Sequence, residues 1–379
     1  MAARCIQNNH RAPVPDRVDL FALPYLWWRY THNKVGGGRA PAKNLQPAGA
    51  SEDFSRVDPM ATLFWNPPGA IADQDLYHGF GRSKLPDWEG TLWNYAAPKT
   101  SYGNKPGFEI AAGDVTLKVK FGEIHSEPFT ARIFHALGFH AEPTDYSPGL
   151  RVKYDRRIFR EFNLRRPMRT KICLLGIIPL QEYNFQPYAD PFEYVAHAVL
   201  KDGSRISNRE LKKRLFRNAT RPRPEANPAN FRIEFEQTID HLMTIPANVQ
   251  WKDDRVRSLG PWDFEGLDHP HRRELRGLCL LAAWVGWYDS RFDNTRVKRV
   301  KDASESANEL RFFVTDLGGG MGEASTWLFK RKGESPNHFK WDFTQTDRSG
   351  RFRVKGFEPI ERTPAFEQMT LDDARWMGR

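Results

Sequence analysis

The chain has 379 residues, 40% of them hydrophobic, with 12 Trp and 26 Phe, which excludes global disorder and allows two lobes or domains. Its 57 Lys and Arg against 47 Asp and Glu give a net charge of +10, so we expect a basic surface suited to nucleotides, nucleic acid or acidic lipid headgroups. The three cysteines show no C-x-x-C spacing, which argues against a zinc site or disulfide framework, and no apolar run reaches the ~18 residues of a membrane span.

Residues 1–60 are predicted to be a flexible N-terminal segment. They are rich in Pro, Gly, Asn and Ala, and Lys34 to Ala50 is typical of a linker. The first residues lack the apolar stretch of a secretory signal, so a cytoplasmic protein is the default expectation. Export stays open if the sequence begins inside a longer protein.

Three strands are predicted next, at 92–95, 108–110 and 115–121, and the last two are predicted to form a hairpin. In the last strand Lys118 and Lys120 alternate with apolar residues, so both lysines are expected on one face. A helix follows, for which Ser126 is the predicted N-cap. Phe129, Ile133, Ala136 and Leu137 form the apolar stripe of this helix and are predicted to face the core.

The clearest helix is predicted from about His271 to Trp287. It includes eight consecutive apolar residues, Leu278 to Val285, and should therefore be buried nearly all round. Two strands, at 294–297 and 311–315, are expected to follow it and to be joined by a polar loop.

Five polar residues are of the types that phosphoryl transfer from ATP requires, and they occur in the order in which kinases carry them. Such transfer needs a lysine on the phosphates, a carboxylate that positions it, an aspartate that orients the acceptor hydroxyl, and an asparagine and an aspartate that hold Mg²⁺. The candidates, in that order of roles, are Lys120, Glu127, Asp289, Asn294 and Asp316.

The spacing of these residues supports the interpretation. Asp289 and Asn294 form D-x-x-x-x-N, the spacing of a kinase catalytic loop, in which one turn directs both side chains into the same cleft. Asp316 ends a predicted strand and begins Asp-Leu-Gly-Gly-Gly, where glycines would allow a sharp turn beside a metal ion. Gly103 and Gly107, in the turn-rich loop before the hairpin, are candidates to cover the phosphates.

Three segments resemble an uncharacterised bacterial kinase-like family, and more distantly the HipA-type and phosphatidylinositol-kinase-type atypical kinases. They are KPGFEIAAGDVTLKVKFGEIHSEPFTARIFHALGF, RRELRGLCLLAAWVGWYDSRFDNTRV and FFVTDLGGGMG. The segment PFEYVAHAVLKDGSRISNRELKKRLF also resembles part of the bacterial family. The resemblance implies an α+β, bilobal protein-kinase-like fold, with a β-rich N-lobe at 61–180 and a mostly helical C-lobe at 181–379. It also implies ATP and Mg²⁺ as cofactors and the five residue roles given above.

The sequence departs from the kinase pattern at three points. It has no G-x-G-x-x-G loop, Trp287-Tyr288 stands in place of His-Arg before Asp289, and Glu127 falls in the first helical turn. The expected function is an ATP/Mg-dependent phosphotransferase with an unknown protein, lipid or small-molecule acceptor, and adenylyl transfer stays open.

Two other functions stay open. One is a pseudokinase or nucleotide-binding scaffold without catalysis, which the missing glycine loop favours. The other, less favoured, is a nucleic-acid-binding protein that uses the run 151–171, which carries nine basic and two acidic residues.

Overall fold

The computed structural model describes residues 62–77, 79–80, 87, 90–99, 105–162, 168–174, 178–185, 189–252, 256–262, 264, 269, 272–291, 294–301, 308–322, 344–346, 352–354, 359 and 363–378. The strands in these residues are β1 Leu92–Pro98, β2 Gly107–Ala112, β3 Val115–Lys120, β4 Thr144–Ser147, β5 Arg151–Lys153, β6 Met168–Leu174, β7 Ile178–Phe185, β8 Val195–Leu200, β9 Arg205–Ser207, β10 Ile239–Thr244, β11 Ala247–Lys252, β12 Val256–Gly260, β13 Thr295–Lys301, β14 Asn308–Val314, β15 Thr344–Thr346 and β16 Phe352–Val354. The α-helices are α1 Ser126–Ala136, α2 Arg156–Glu161, α3 Asn208–Leu215, α4 Ile233–Glu236, α5 Arg273–Val285, α6 Pro364–Glu367 and α7 Leu371–Gly378.

The chain forms two compact units that interleave along the sequence, each with its own hydrophobic core. The first unit takes its described residues from Met1–Arg82, His125–Thr144 and Asp253–Arg379, and the second from Ser83–Ile124 and Asp145–Lys252. The two compact units neither confirm nor contradict the predicted lobes at 61–180 and 181–379, which stay predictions.

The second unit is built on a nine-stranded sheet of the described residues, in the order β4-β11-β3-β2-β1-β5-β10-β8-β9. From β11 to β9 along this order, neighbouring strands pair antiparallel except β1 and β5, which run parallel. Alternate residues such as Trp93, Ile110, Leu117 and Val119 are buried in one core on a single face of the sheet. The residues between them, Lys120 among them, therefore project from the opposite face.

The predicted hairpin is confirmed in this sheet. β2 and β3 pair antiparallel with Ala112 opposite Val115. In this register Gly107 lies opposite Lys120, and Glu109 lies opposite Lys118. The strand predicted at 92–95 is also confirmed, as the first part of β1.

The first unit contains α1, α5, α6, α7 and the antiparallel sheet β12-β13-β14. Helix α5 confirms the predicted buried helix, since almost all of its residues are buried, and Trp284, with half of its surface exposed, is the main exception. β13 and β14 confirm the two predicted strands and pair with Thr295 opposite Val314.

Two details predicted for α1 are wrong. His125, not Ser126, occupies the N-cap, and Ser126 is the first helical residue. The side chain of Phe129 is exposed, whereas Thr130, Ala131 and Phe134 are buried. The other residues of the predicted stripe do face the core, since Ala136 is buried and Ile133 and Leu137 pack against it. Thr130 is buried because α1 packs against the 3-10 segment Leu317–Gly322, which the local pattern could not indicate.

The predicted combination of helices and strands is confirmed, whereas a mostly helical C-terminal half is not. Within 181–379, the described residues include strands β8 to β16 as well as helices α3 to α7. No helix in the described part of the chain combines the length and apolar character that crossing a membrane requires.

Candidate functional site

A pair of carboxylates lies in the first unit, where β14 ends and α1 begins. Asp316 follows β14 after one residue, and Glu127 lies in the first turn of α1. Their carboxylate oxygens lie within 4.8 Å of one another. The structure thus brings together two of the residues that the sequence singled out, although they are 189 positions apart in the sequence.

The turn that carries Asp316 is held against α1 by two contacts. The Ser126 hydroxyl donates a hydrogen bond of 2.9 Å to the Gly318 carbonyl. A Cβ at Gly320 would lie 2.5 Å from Thr130 Oγ1, so this position has no room for a side chain. At least one glycine of the Asp-Leu-Gly-Gly-Gly sequence is therefore required by its close approach to a helix.

The backbone of Asp316 adopts a left-handed conformation, with φ of 53°. For a residue other than glycine this costs about 1–2 kcal/mol, and such strain persists only where the surrounding structure maintains it. Here the preceding β-strand and the packed 3-10 segment hold the turn, so the carboxylate is positioned by backbone geometry as well as by its own torsions.

The chemistry of the pair suits a divalent cation. Two carboxylates this close repel each other when both are ionised, and a cation or a proton relieves that repulsion. Carboxylate oxygens are the ligands that Mg²⁺ and Ca²⁺ prefer. The residues present therefore fit a hard cation, without selecting Mg²⁺ over Ca²⁺.

The loop after α5 presents the asparagine of the D-x-x-x-x-N sequence. Asn294 is 4% exposed, and its Nδ2 donates a hydrogen bond of 2.8 Å to the Asp289 carbonyl. The backbone N–H of Thr315 donates to the Asn294 carbonyl at 2.9 Å, which fixes Asn294 beside the residue that precedes Asp316. Asn294 Oδ1 accepts no hydrogen bond from any residue that the structure describes.

Asp289, the predicted catalytic aspartate, pairs with an arginine that the sequence reasoning missed. Its Oδ1 lies 2.7 Å from Nε of Arg291, and both side chains retain partial exposure. The sequence does indicate this pair, because an acid and an arginine two positions apart in a turn can bring their carboxylate and guanidinium groups together. The carboxylate is therefore part of an ion pair in this structure.

Lys120, the predicted phosphate ligand, is the last residue of β3 in the second unit. It is 9% exposed and forms an ion pair with Glu123, three residues later. Glu123 was missed, although an acid just after a strand that ends in lysine is a usable signal. The predicted pairing of Lys120 with Glu127 stays a prediction.

Gly107 lies opposite Lys120 at the start of β2, where a Cβ would lie 2.1 Å from the Val119 carbonyl oxygen. The close approach of the two strands therefore accounts for glycine at this position, and a phosphate-covering role stays a prediction. Gly103, the other predicted loop glycine, lies outside the described residues.

Comparisons with protein-family models, with curated proteins and with solved structures found no match to this chain.

Proposed function

We propose that the chain is an ATP- and Mg²⁺-dependent phosphotransferase of the atypical kinase type, with the bilobal fold that the resemblance implies. The observation that carries the proposal is the Glu127–Asp316 carboxylate pair at the end of β14. Support also comes from Asn294, whose carbonyl is bonded to the residue before Asp316. The proposed cation ligands and the D-x-x-x-x-N sequence thus lie at the same end of the β13–β14 hairpin.

In the proposed reaction Asp316 and Asn294 hold Mg²⁺, and Glu127 supplies a further carboxylate near the cation. Bound Mg²⁺ would neutralise charge on the phosphate groups. Asp289 would orient the acceptor hydroxyl and accept its proton, and Lys120 would bind phosphate oxygens. Because phosphoryl transfer needs little covalent chemistry from the protein, these residues would act by positioning and charge stabilisation.

The decisive experiment measures MgATP binding by the full chain carrying Asp316→Asn. Asparagine tolerates the left-handed backbone and keeps the side-chain shape while removing the charge. We expect MgATP affinity to fall about tenfold or more, equivalent to ~1.4 kcal/mol, and ATP affinity without metal to change little.

The control is Asp114→Asn, in the exposed turn between β2 and β3. It removes the same charge at the turn of the hairpin, which is the end opposite to Lys120, and it should bind MgATP like the unmodified protein. Equal MgATP affinity in the Asp316→Asn variant and in the control would show that the metal assignment is wrong.

Measuring ATP consumption by the unmodified protein distinguishes a phosphotransferase from a nucleotide-binding scaffold. A protein that binds MgATP but consumes none with candidate acceptors in excess would be a pseudokinase or nucleotide-binding scaffold. Labelled ATP distinguishes the remaining reactions, since γ-label transfer indicates phosphorylation and α-label transfer indicates adenylylation.

Nucleic-acid binding through 151–171 is the weaker alternative. Within that run Arg157 pairs with Asp155 at 2.7 Å, and Arg156 donates a 2.8 Å hydrogen bond to Glu236. Carboxylates therefore already neutralise part of the positive charge on which phosphate-backbone binding depends.

A further inference from the structure

Three lysines meet at the end of the β2–β3 hairpin in the second unit. Lys120 ends β3, Lys105 lies just before β2, and Lys99 follows β1. Lys99 Nζ donates a hydrogen bond of 2.7 Å to the Lys105 carbonyl, which ties the two ends of the β1–β2 connection together. The amino groups of Lys105 and Lys120 both approach the carboxylate of Glu123.

Glu123 lies between two ammonium groups. Its Oε2 forms the ion pair with Lys120, and its Oε1 lies 4.0 Å from Lys105 Nζ. Each carboxylate oxygen thus faces a different lysine, an arrangement that two oxygens of one phosphate group can also adopt. The side chain of Glu123 is 11% exposed, whereas that of Lys105 is 35% exposed and is open to solvent on one side.

Two glycines bring the lysine stems onto the backbone. A Cβ at Gly122 would lie 2.7 Å from Lys105 Cδ, and a Cβ at Gly107 would lie 3.2 Å from Lys99 Cδ. A side chain at Gly122 would therefore displace Lys105 from the turn that carries Glu123. The backbone of Glu123 is itself left-handed, with φ of 54°, so its carboxylate reaches the lysines from a strained turn.

The ammonium groups of this cluster suit an anion with several oxygens. Lys105 and Lys120 both have Glu123 as an ion-pair partner, and Lys99 adds a third ammonium group at the same end of the hairpin. Clustered cations partly shielded from water attract a multivalent anion more strongly than a monovalent one. A chain of phosphates therefore suits the cluster better than an isolated carboxylate.

We propose that Lys105 and Lys120 bind the polyphosphate of a nucleoside triphosphate, and that Glu123 occupies the position of one phosphate group when no ligand is bound. Glu123 is thus a built-in competitor, displaced when the polyphosphate takes both lysines. Lys99 supports the loop through its bond to the Lys105 carbonyl. That the polyphosphate belongs to ATP rests on the proposed function.

The test measures binding of ATP and of inorganic tripolyphosphate, both without divalent metal, by isothermal titration calorimetry. Lys105→Met keeps an unbranched stem and removes the charge, and we expect both anions to bind at least fivefold more weakly. Glu123→Gln removes the competing charge, and we expect both anions to bind at least threefold more tightly.

Matched controls come from an ion pair on the same sheet. Glu109 pairs with Lys252 at 2.6 Å, and the side chain of Glu109 is 12% exposed, close to that of Glu123. Glu109→Gln and Lys252→Met should change either affinity less than twofold. Circular dichroism checks that each variant is folded. Because Lys105 is partly exposed, Lys105→Met should fold and tests the phosphate assignment even if Glu123→Gln is unstable.

The outcomes separate this proposal from the proposed function. If Lys105→Met and Glu123→Gln bind both anions like their controls, the phosphate assignment is wrong, even where MgATP binding still depends on Asp316. If both variants respond with tripolyphosphate while the unmodified protein binds no ATP, the lysine cluster is a polyphosphate site and the proposed ATP-dependent function fails.

Discussion

At the scale of single residues, the backbone conformation of two acids bears most directly on function. Glu123 and Asp316 have φ near +54° and +53°, and Arg223 is the other non-glycine residue with positive φ among those described. Such conformations cost free energy and concentrate where a side chain must be held in one direction. Each of the two acids lies in a turn directly after a strand, which supplies the rigid support.

Another residue-scale feature is the histidine on β8. The pKa of His197 is lowered from its ordinary value of 6.5, first by burial and then by the positive charges of Arg205 and His241. As pH falls through 6.5 the unfolded chain takes up a proton at this position before the folded protein does. The stability that neutral His197 contributes is therefore complete above that pH and is lost below it.

We expect the His197 titration, followed by NMR, to have a midpoint below 6.5 and to move upward in Arg205→Gln. The fall in unfolding free energy below about pH 6.5 should be shallower in His197→Gln, because that variant has no imidazole to protonate. Arg209→Gln, an exposed arginine on α3, is the control and should leave the midpoint unchanged. A midpoint at or above 6.5 would contradict the assignment.

At the scale of elements, the contact between α1 and the 3-10 segment after β14 positions the carboxylate pair. Gly320→Ala would place a Cβ 2.5 Å from Thr130 Oγ1, and we expect a loss of about 1–3 kcal/mol in unfolding free energy with weaker MgATP binding. Thr130→Ala should restore most of both losses, since Thr130 Cβ lies at an ordinary 3.4 Å from that position.

Urea unfolding and MgATP titration of both single variants and the double variant test this contact. Thr130 Oγ1 is buried and has no hydrogen-bond partner in the described chain, so Thr130→Ala alone sacrifices no such bond. Gly69→Ala is the control, because nothing lies within 4 Å of the added Cβ. If the double variant is as unstable as Gly320→Ala, the close contact is not the cause.

Helices and strands could be predicted where the contacts that determine them lie between residues close together in the sequence. The β2–β3 hairpin follows from strict alternation around a Gly-Asp turn, and α5 follows from its apolar run, since both patterns are complete within a few residues. The burial of Phe129 on α1 was predicted wrongly, because a segment almost 190 residues later packs on Thr130 instead.

At the scale of the whole molecule, the interior of the first unit contains buried ion pairs between two helices. Arg276 of α5 donates bonds of 2.7 and 3.0 Å to Asp373 of α7, and Arg273 Nε lies 3.6 Å from the same carboxylate. The side chains of all three are at most 1% exposed. Asp373 therefore pairs with two buried cations and connects α7 to α5.

Asp373→Ala should lower the unfolding free energy by about 3–5 kcal/mol, because it leaves two buried guanidinium groups without this carboxylate. Denaturant unfolding checks the value, with Glu367→Ala on the exposed side of α6 as a control expected to lie within ~0.5 kcal/mol of the unmodified protein. A loss under ~1 kcal/mol would mean that other groups or solvent compensate the two arginines.

The sequence by itself determined the strands and helices that carry the candidate residues, and the order Lys120, Glu127, Asp289, Asn294, Asp316 along the chain. Local alternation and spacing suffice for these, because they depend on neighbours a few residues away. Only the tertiary structure decided which side chains meet. It paired Glu127 with Asp316 and Lys120 with Glu123, since proximity between distant segments arises from packing and from the backbone conformation of individual turns.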